Sequence, residues 1–154
     1  MPTFDQVRSE LSKRIIFEQI ASVSEGFYKD KPLEFDEDNF NWLVFPDFML
    51  PPRWSHIART SPLLISFPME YPTLPPVGFY LSAALPSSPN GHLYPDVYHS
   101  ANQSPTEKNW AWYCVYIDAV NWNPSVYRRP GDWRDGDNLW DYITLINESL
   151  QSVD

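Results

Sequence analysis

The residue of this chain best suited to chemistry is Cys114, its only cysteine. A cysteine thiolate is a strong nucleophile and can carry an acyl group as a thioester. Cys114 lies in an apolar segment, residues 110–117, which is typical of an extended strand with Trp112 and Tyr116 on the same face. A free cysteine among aromatic residues is also often a small buried hydrophobic side chain. The local pattern therefore leaves two interpretations open, a reactive thiol and an inert one.

Histidines near Cys114 in the sequence raise two further hypotheses. His92 or His99 is a candidate partner for Cys114 in a Cys–His nucleophile pair, although neither lies in a protease-like local motif. His92, Asp96 and His99 also lie close together in sequence, as metal ligands do. With one thiolate available and no C-x-x-C motif, however, the sequence argues against a zinc site. The sequence predicts neither a metal nor another cofactor.

Charge and composition exclude several classes of function. Twenty acidic residues face eleven basic ones, for a net charge of −9, which disfavours nucleic acid and anionic membrane surfaces as ligands. The one basic cluster, Arg128-Arg129 with Arg134, is interrupted by Asp132 and Asp135. A single cysteine forms no internal disulfide, the N-terminus has no signal-peptide pattern, and no apolar run suits a membrane span. The sequence therefore predicts a soluble cytoplasmic protein.

The order of predicted elements indicates one α+β domain over residues 1–154. Apolar spacing predicts a helix over residues 4–23, capped by Thr3 or Asp5, with Gly26 just past its end. Short apolar runs predict strands, and the acidic stretch between helix and strands predicts a connector. The predicted segments are strands at 39–44, 63–67, 77–81 and 110–117, a turn at 46–52, a long loop at 86–109 and a closing helix at 138–151. This order predicts an N-terminal helix, a four-stranded antiparallel meander, a loop bearing the cysteine and a C-terminal helix.

Four short motifs follow one another along the chain. They are LSKRIIFE at residues 11–18, FNW at 40–42, FPMEYPTLPP at 67–76 and CVYIDAVNWNP at 114–124. In this order they resemble the L-x-K-R-I-x-x-E, F-x-W, F-P-x-x-Y-P-x-x-P-P and catalytic C-x7-W-S-P motifs of ubiquitin-conjugating (UBC) enzymes. The resemblance covers about residues 8–125 and puts the only cysteine at the catalytic position of the family.

The chain also departs from the family pattern. Its closest counterpart of the family's H-P-N motif is HLYPDVYH at residues 92–99, in which Asp96 replaces the Asn that supports isopeptide formation. The stretch between Asp96 and Cys114 is an insertion relative to the usual spacing. Asn123 replaces the Ser of W-S-P, and one C-terminal helix is predicted where the standard fold has more. These features resemble the divergent bacterial UBC-like proteins encoded beside a ubiquitin-like protein, an activating enzyme and a deubiquitinase, several of which act in antiviral defence.

The resemblance implies a transferase. Cys114 would take a ubiquitin-like protein from an activating-type enzyme as a thioester and pass it to an amine, a lysine of a target protein. Lys13 and Arg14 on the first helix would meet an acidic surface of the activating enzyme, although a solvated helix face explains them nearly as well. Trp122 and Pro124 would shape the loop that follows the cysteine, and the proline-rich connector would fix a turn beneath it.

Transfer to an amine builds an oxyanion, which needs a hydrogen-bond donor nearby. An ionised Asp96 only accepts hydrogen bonds, so His99 is the preferred donor, with Asn102 and Asn121 as alternatives. Asp96 or Asp118 would accept the proton of the incoming amine. The site predicted from the sequence is therefore Cys114 with His99, Asp96 and Asp118.

The sequence leaves three other hypotheses open. The chain would be a non-catalytic UBC-like module that binds ubiquitin-like proteins, and the altered H-P-N segment favours this. It would be a small Cys–His thiol hydrolase if His92 or His99 contacts Cys114. It would be an aromatic-rich interaction protein if Cys114 is buried and inert.

Overall fold

The secondary structure follows an α+β order, as the sequence predicts. The computed structural model describes residues 7–29, 31–76, 78–82 and 121–151 with their side chains, and residues 96–98 and 110–114 by their backbone alone. In chain order the elements are helix α1 (Glu10–Gly26), strands β1 (Glu34–Phe35), β2 (Trp42–Met49), β3 (Thr60–Ser66), β4 (Gly78–Leu81), β5 (Asp96–Tyr98) and β6 (Trp110–Cys114), and helix α2 (Leu139–Gln151). Short 3-10 helices lie at Pro52–Trp54 and Asp132–Asp135.

The strands form one antiparallel sheet. Its order across the described residues is β1-β2-β3-β4-β6-β5. Strands β2, β3, β4 and β6 correspond to the four predicted strands and are neighbours in that order. A short strand that was not predicted lies at each edge of the sheet, because β1 pairs with β2 and β5 pairs with β6. Strand β1 lies in the acidic stretch after α1 that was predicted to be a connector, so that prediction was wrong at residues 34–35. Strand β5 lies within residues 86–109, so the prediction of a loop throughout that stretch was wrong at residues 96–98.

Helix α1 begins later than predicted. Residues 7–9 are not helical, and the Ser9 Oγ accepts a hydrogen bond from the Ser12 backbone N at 3.1 Å, which caps the helix. The predicted caps, Thr3 and Asp5, lie outside the described residues. Gly26 is the last residue of the helix and not the first residue past it.

Strand β2 is longer than its apolar alternation predicts. It continues from Trp42 to Met49, through a stretch that was predicted to be a turn. The pairing with β3 is irregular between Phe45 and Phe48. Proline lacks a backbone N–H and is tolerated in a sheet mainly at such irregularities, so Pro46 lies in the strand without ending it.

Both helices pack on one face of the sheet. Alternate residues of the central strands point to this face, including Phe45 on β2, Ile65 on β3 and Phe79 on β4, all buried in one cluster. Helix α2 contributes the apolar face predicted from its sequence, whose buried residues are Leu139, Tyr142, Ile143, Ile146 and Leu150. Across the described residues, neither helix combines the length and apolar character that a membrane span requires.

Candidate functional site

Cys114 is the last residue of β6, at the end of the sheet where β4 begins. It pairs in register with Gly78, the first residue of β4. The proline-rich connector, residues 67–76, ends just before Gly78 in the sequence. The connector therefore leads into the strand that pairs with Cys114. Residues 110–114 are extended, as predicted from their apolar pattern. The predicted loop bearing the cysteine is not confirmed, because Cys114 is the last residue of strand β6.

Asp96 lies on the strand beside Cys114. It is the first residue of β5 and pairs with Trp112, two residues before the cysteine. Diagonal neighbours of this kind in an antiparallel pair are separated by about 7–8 Å. The structure thus brings two of the four predicted site residues onto adjacent strands. His99 and Asp118 lie outside the described residues, as do His92 and Asn102, and their predicted roles stay predictions.

The segment that follows the cysteine is fixed to the proline-rich connector. Trp122 is buried, and its indole Nε1 donates a hydrogen bond of 2.7 Å to the carbonyl oxygen of Pro72. The Tyr71 ring lies 6.3 Å from the Trp122 ring, and the Tyr71–Pro72 peptide bond is cis. The tryptophan of one sequence motif therefore contacts the tyrosine–proline pair of another motif, 50 residues away.

A buried arginine holds the other end of the connector. Arg8 precedes α1 and is only 2% exposed. Its guanidinium donates to five oxygen atoms, at Phe67 O (2.9 Å), Pro68 O (2.6 Å), Asn39 O (3.0 Å), Asn41 Oδ1 (3.3 Å) and Ser12 Oγ (3.2 Å). Burial lowers the pKa of Arg8, and the nearby charges of Asp36 and Glu70 oppose that shift. The charge is thus stabilised by carbonyl and amide dipoles, and no carboxylate of the described residues forms an ion pair with it.

Two further polar side chains of α1 hold Tyr71. The Ser12 hydroxyl donates to the backbone oxygen of Tyr71 at 2.5 Å. The Tyr71 hydroxyl donates to Gln19 Oε1, also at 2.5 Å, and the same oxygen accepts from the backbone N of Leu139 at the start of α2 at 2.9 Å. Gln19 therefore links α1, the connector and α2 through one buried amide oxygen.

This polar stripe on α1 was not predicted from the sequence. Ser12 and Gln19 lie seven residues apart, which places them on one side of α1 beside the buried Ile15 and Ile16, and Arg8 lies just before the helix, four residues from Ser12. Polar residues at helical spacing beside an apolar face are the sequence signal from which buried polar contacts of α1 could have been predicted. The sequence does not say which groups these residues bind, because Arg8 and Ser12 donate to backbone oxygens about sixty residues away, and Gln19 accepts from the Tyr71 hydroxyl and the Leu139 backbone N.

Glu18, on the adjacent side of α1, anchors the loop after Trp122. Its carboxylate accepts from the Tyr127 hydroxyl at 2.6 Å, the Gly131 backbone N at 2.9 Å and the Trp133 Nε1 at 3.0 Å. Gly131 has a φ of 90°, a conformation that glycine adopts without strain. Glu18 is the last residue of the first sequence motif, so each of the three motifs at residues 11–18, 67–76 and 114–124 contributes to this assembly.

Because the Tyr71 hydroxyl is buried, we expect the protein to lose stability at alkaline pH. Burial raises the pKa of Tyr71 well above its usual value of 10.0. The folded state then keeps a proton that the unfolded chain loses, so stability is complete below pH about 10 and falls as the pH rises further. We expect the free energy of unfolding, measured in urea at several pH values, to fall less steeply above pH about 10 in Tyr71→Phe than in the parent. Equal slopes in the two proteins would contradict the assignment; Tyr28 and Tyr80, whose pKa values are also raised, remain in both.

Comparisons with known proteins do not add a family to these observations. No family model, curated protein or solved structure matches the chain. In the part of the chain that the structure describes, no group of His, Cys, Asp and Glu side chains is arranged to hold a metal ion.

Proposed function

We propose that this protein is a ubiquitin-conjugating-type enzyme that carries a ubiquitin-like protein as a thioester on Cys114 and transfers it to a lysine amine. The observation that carries the proposal is the hydrogen bond from Trp122 to Pro72. It joins the segment after the cysteine to the connector that leads into β4, the strand paired with Cys114. The sequence motifs of the resemblance therefore meet in space, at the end of the sheet that bears the cysteine.

The first step is a thioester exchange. The Cys114 thiolate attacks the carbonyl carbon of the thioester between the ubiquitin-like protein and the activating-type enzyme. A new C–S bond to Cys114 forms, the old C–S bond breaks, and the thiolate of the activating enzyme leaves. No oxidant, metal or cofactor takes part in this exchange, because one thiolate replaces another.

The second step transfers the acyl group to an amine. The lysine nitrogen attacks the Cys114 thioester, a C–N bond forms, the C–S bond breaks, and the Cys114 thiolate is regenerated. The amine gives up a proton, and Asp96 on the strand next to Cys114 is the proposed acceptor, with Asp118 as the alternative. His99, one residue past β5, is the proposed hydrogen-bond donor to the oxyanion.

The proposed partners are the ubiquitin-like protein, its activating-type enzyme and target proteins that present a lysine. On α1, Lys13 and Arg14 lie in a shallow groove of about 380 Å³ that is also lined by Phe17, Phe40 and the acidic residues Glu10, Glu37 and Asp38. Lys13 is paired with Glu10 at 3.7 Å, and Arg14 is exposed. The proposed contact with an acidic surface of the activating enzyme therefore rests on Arg14 and the exposed Phe17 ring, because the groove as a whole is not positively charged.

The transfer step distinguishes this proposal from a thiol hydrolase. Protein charged with the ubiquitin-like protein is freed of ATP and divided between buffer with free lysine and buffer with the same concentration of Nα,Nε-diacetyl-lysine, which has no free amine. Lysine should consume the thioester and give a ubiquitin-like protein–lysine adduct, whereas the control should stay charged. Release of the free ubiquitin-like protein at equal rates in both buffers would indicate hydrolysis and overturn the proposal.

A further inference from the structure

The loop after Trp122 presents three arginines on the surface of an otherwise acidic protein. We propose that Arg128, Arg129 and Arg134, here called the arginine surface, bind an acidic segment of a partner protein. All three side chains are exposed, and the protein as a whole carries a net charge of −9. The proposal does not depend on the thioester chemistry of Cys114.

The backbone that carries the arginine surface is held in place. The Asp132 carboxylate accepts hydrogen bonds from the backbone N atoms of Arg128 and Arg129, both at 2.9 Å. These two bonds lower the pKa of Asp132. Glu18 anchors the same loop from α1 through the backbone N of Gly131. A partner that binds here therefore does not have to order the loop, which reduces the entropic cost of association.

The guanidinium groups are exposed, whereas the Asp132 carboxylate is turned toward the loop. The Arg129 side chain is 85% exposed against 20% for Asp132, and the contact between Arg129 Nε and Asp132 Oδ1 is long, at 3.8 Å. Arg134 lies over the indole of Trp133, with its Cζ 4.5 Å from the ring centroid. A Cβ on Gly131 would lie 2.8 Å from the Arg134 Nη1, so the glycine leaves room for this stacking.

A carboxylate-rich protein segment fits this surface better than a nucleic acid does. Arginine presents a planar fork that binds a carboxylate through two hydrogen bonds, and stacking on Trp133 holds one such fork in place. The phosphate backbone of a nucleic acid would extend beyond the arginines and be repelled by the net negative charge of the protein. At physiological ionic strength electrostatic interactions between exposed charges decay over about 8 Å. The surface therefore favours a short acidic segment, and the exposed Asp135 lies at its edge.

Fluorescence anisotropy with a labelled acidic peptide of alternating Glu and Gly tests the proposal. The full-length protein should bind the peptide, and the double variant Arg128→Glu/Arg129→Glu should bind at least about tenfold more weakly because like charges then face each other. The control variant Lys29→Glu/Arg59→Glu changes the net charge equally at two exposed positions elsewhere on the protein. It should stay within about twofold of the parent. Circular dichroism of each variant verifies that the fold is retained.

Each other result would overturn the inference. Equal weakening in both double variants would show that only net charge matters. Absence of peptide binding by the parent, with no difference between Glu and Gln versions of the peptide, would show that the arginines do not form a binding surface. Tighter binding of a labelled single-stranded oligonucleotide than of the peptide, lost in the Arg128→Glu/Arg129→Glu variant, would assign the surface to a nucleic acid instead. A folded Arg134→Gln variant that binds the peptide as the parent does would overturn the inference that the three arginines bind as one surface.

Discussion

Replacement of Arg8 by methionine is expected to lower the free energy of unfolding by about 3 kcal/mol. Methionine fills much of the same volume but has no donor for the carbonyl oxygens of Phe67 and Pro68, which accept from the guanidinium at 2.9 and 2.6 Å. The Pro68 oxygen keeps the Tyr71 backbone N as a donor at 2.9 Å, so the larger loss falls on the Phe67 oxygen. Each buried carbonyl left without a donor costs about 1–3 kcal/mol. Removing the charge also relieves its desolvation, so the expected cost is smaller than the sum over all acceptors. Urea-induced unfolding, followed by tryptophan fluorescence, measures the change.

Arg8→Lys is the matched control, because it keeps the charge and loses the guanidinium fork. An ammonium group is a single point with three donors and does not span the carbonyls of Phe67, Pro68 and Asn39 together. We expect Arg8→Lys to retain less than about half of the free energy of unfolding that is lost in Arg8→Met. If lysine restored the parent stability, charge alone would explain Arg8. If methionine left stability unchanged, the hydrogen bonds would not hold the connector as described.

Gly136→Ala is expected to lower the free energy of unfolding by about 2–3 kcal/mol. A Cβ at this position would lie 2.1 Å from the backbone N of Ser125, 2.6 Å from the backbone C of Pro124 and 2.8 Å from the backbone O of Asn123. The φ of Gly136 is −126°, which any residue adopts, so the cost is steric and not conformational. The clash moves the segment that directly follows Trp122, because it involves backbone atoms that cannot rotate away. Urea unfolding measures the loss.

Gly26→Ala provides a contrast at a second close contact. Its Cβ would lie 2.8 and 3.0 Å from carbons of the Trp140 ring, which belong to a side chain and can shift. Alanine is also a better helix residue than glycine by about 1 kcal/mol, and Gly26 ends α1. We therefore expect a change of less than about 1 kcal/mol for Gly26→Ala. A larger loss at Gly26 than at Gly136 would contradict the account of the post-cysteine segment as tightly packed backbone.

Much of the fold follows from periodicity in the sequence. The apolar face of α2 was predicted almost residue by residue, because a strong helical repeat near the end of the chain has no competing pattern. Strands β3, β4 and β6 were predicted from short apolar runs. The boundaries were less accurate. Ser9 caps α1 although the apolar repeat extends back to Phe4, and β2 runs through Pro46 because an irregular register accommodates the proline.

The candidate site was predictable in its residue types but not in its contacts. The resemblance of the motifs at residues 67–76 and 114–124 to those of ubiquitin-conjugating enzymes implied that the proline-rich connector approaches the segment after Cys114. It did not reveal that Trp122 donates to Pro72 or that Arg8 donates to Phe67 and Pro68, since periodicity carries no information about pairs 50 to 60 residues apart. Strand β5 was missed because three residues are too short to give an alternating pattern.

The measurement that tests the central proposal most directly is the intact mass of the protein after charging. The protein is mixed with the candidate activating-type enzyme, the ubiquitin-like protein and ATP, and its mass is recorded without reductant. We expect the mass to increase by that of one ubiquitin-like protein, and we expect the increase to be reversed by added thiol and to be absent in Cys114→Ala. If the activating enzyme is itself charged and Cys114 is still alkylated by iodoacetamide, yet no adduct forms, the protein is not a conjugating enzyme of this type.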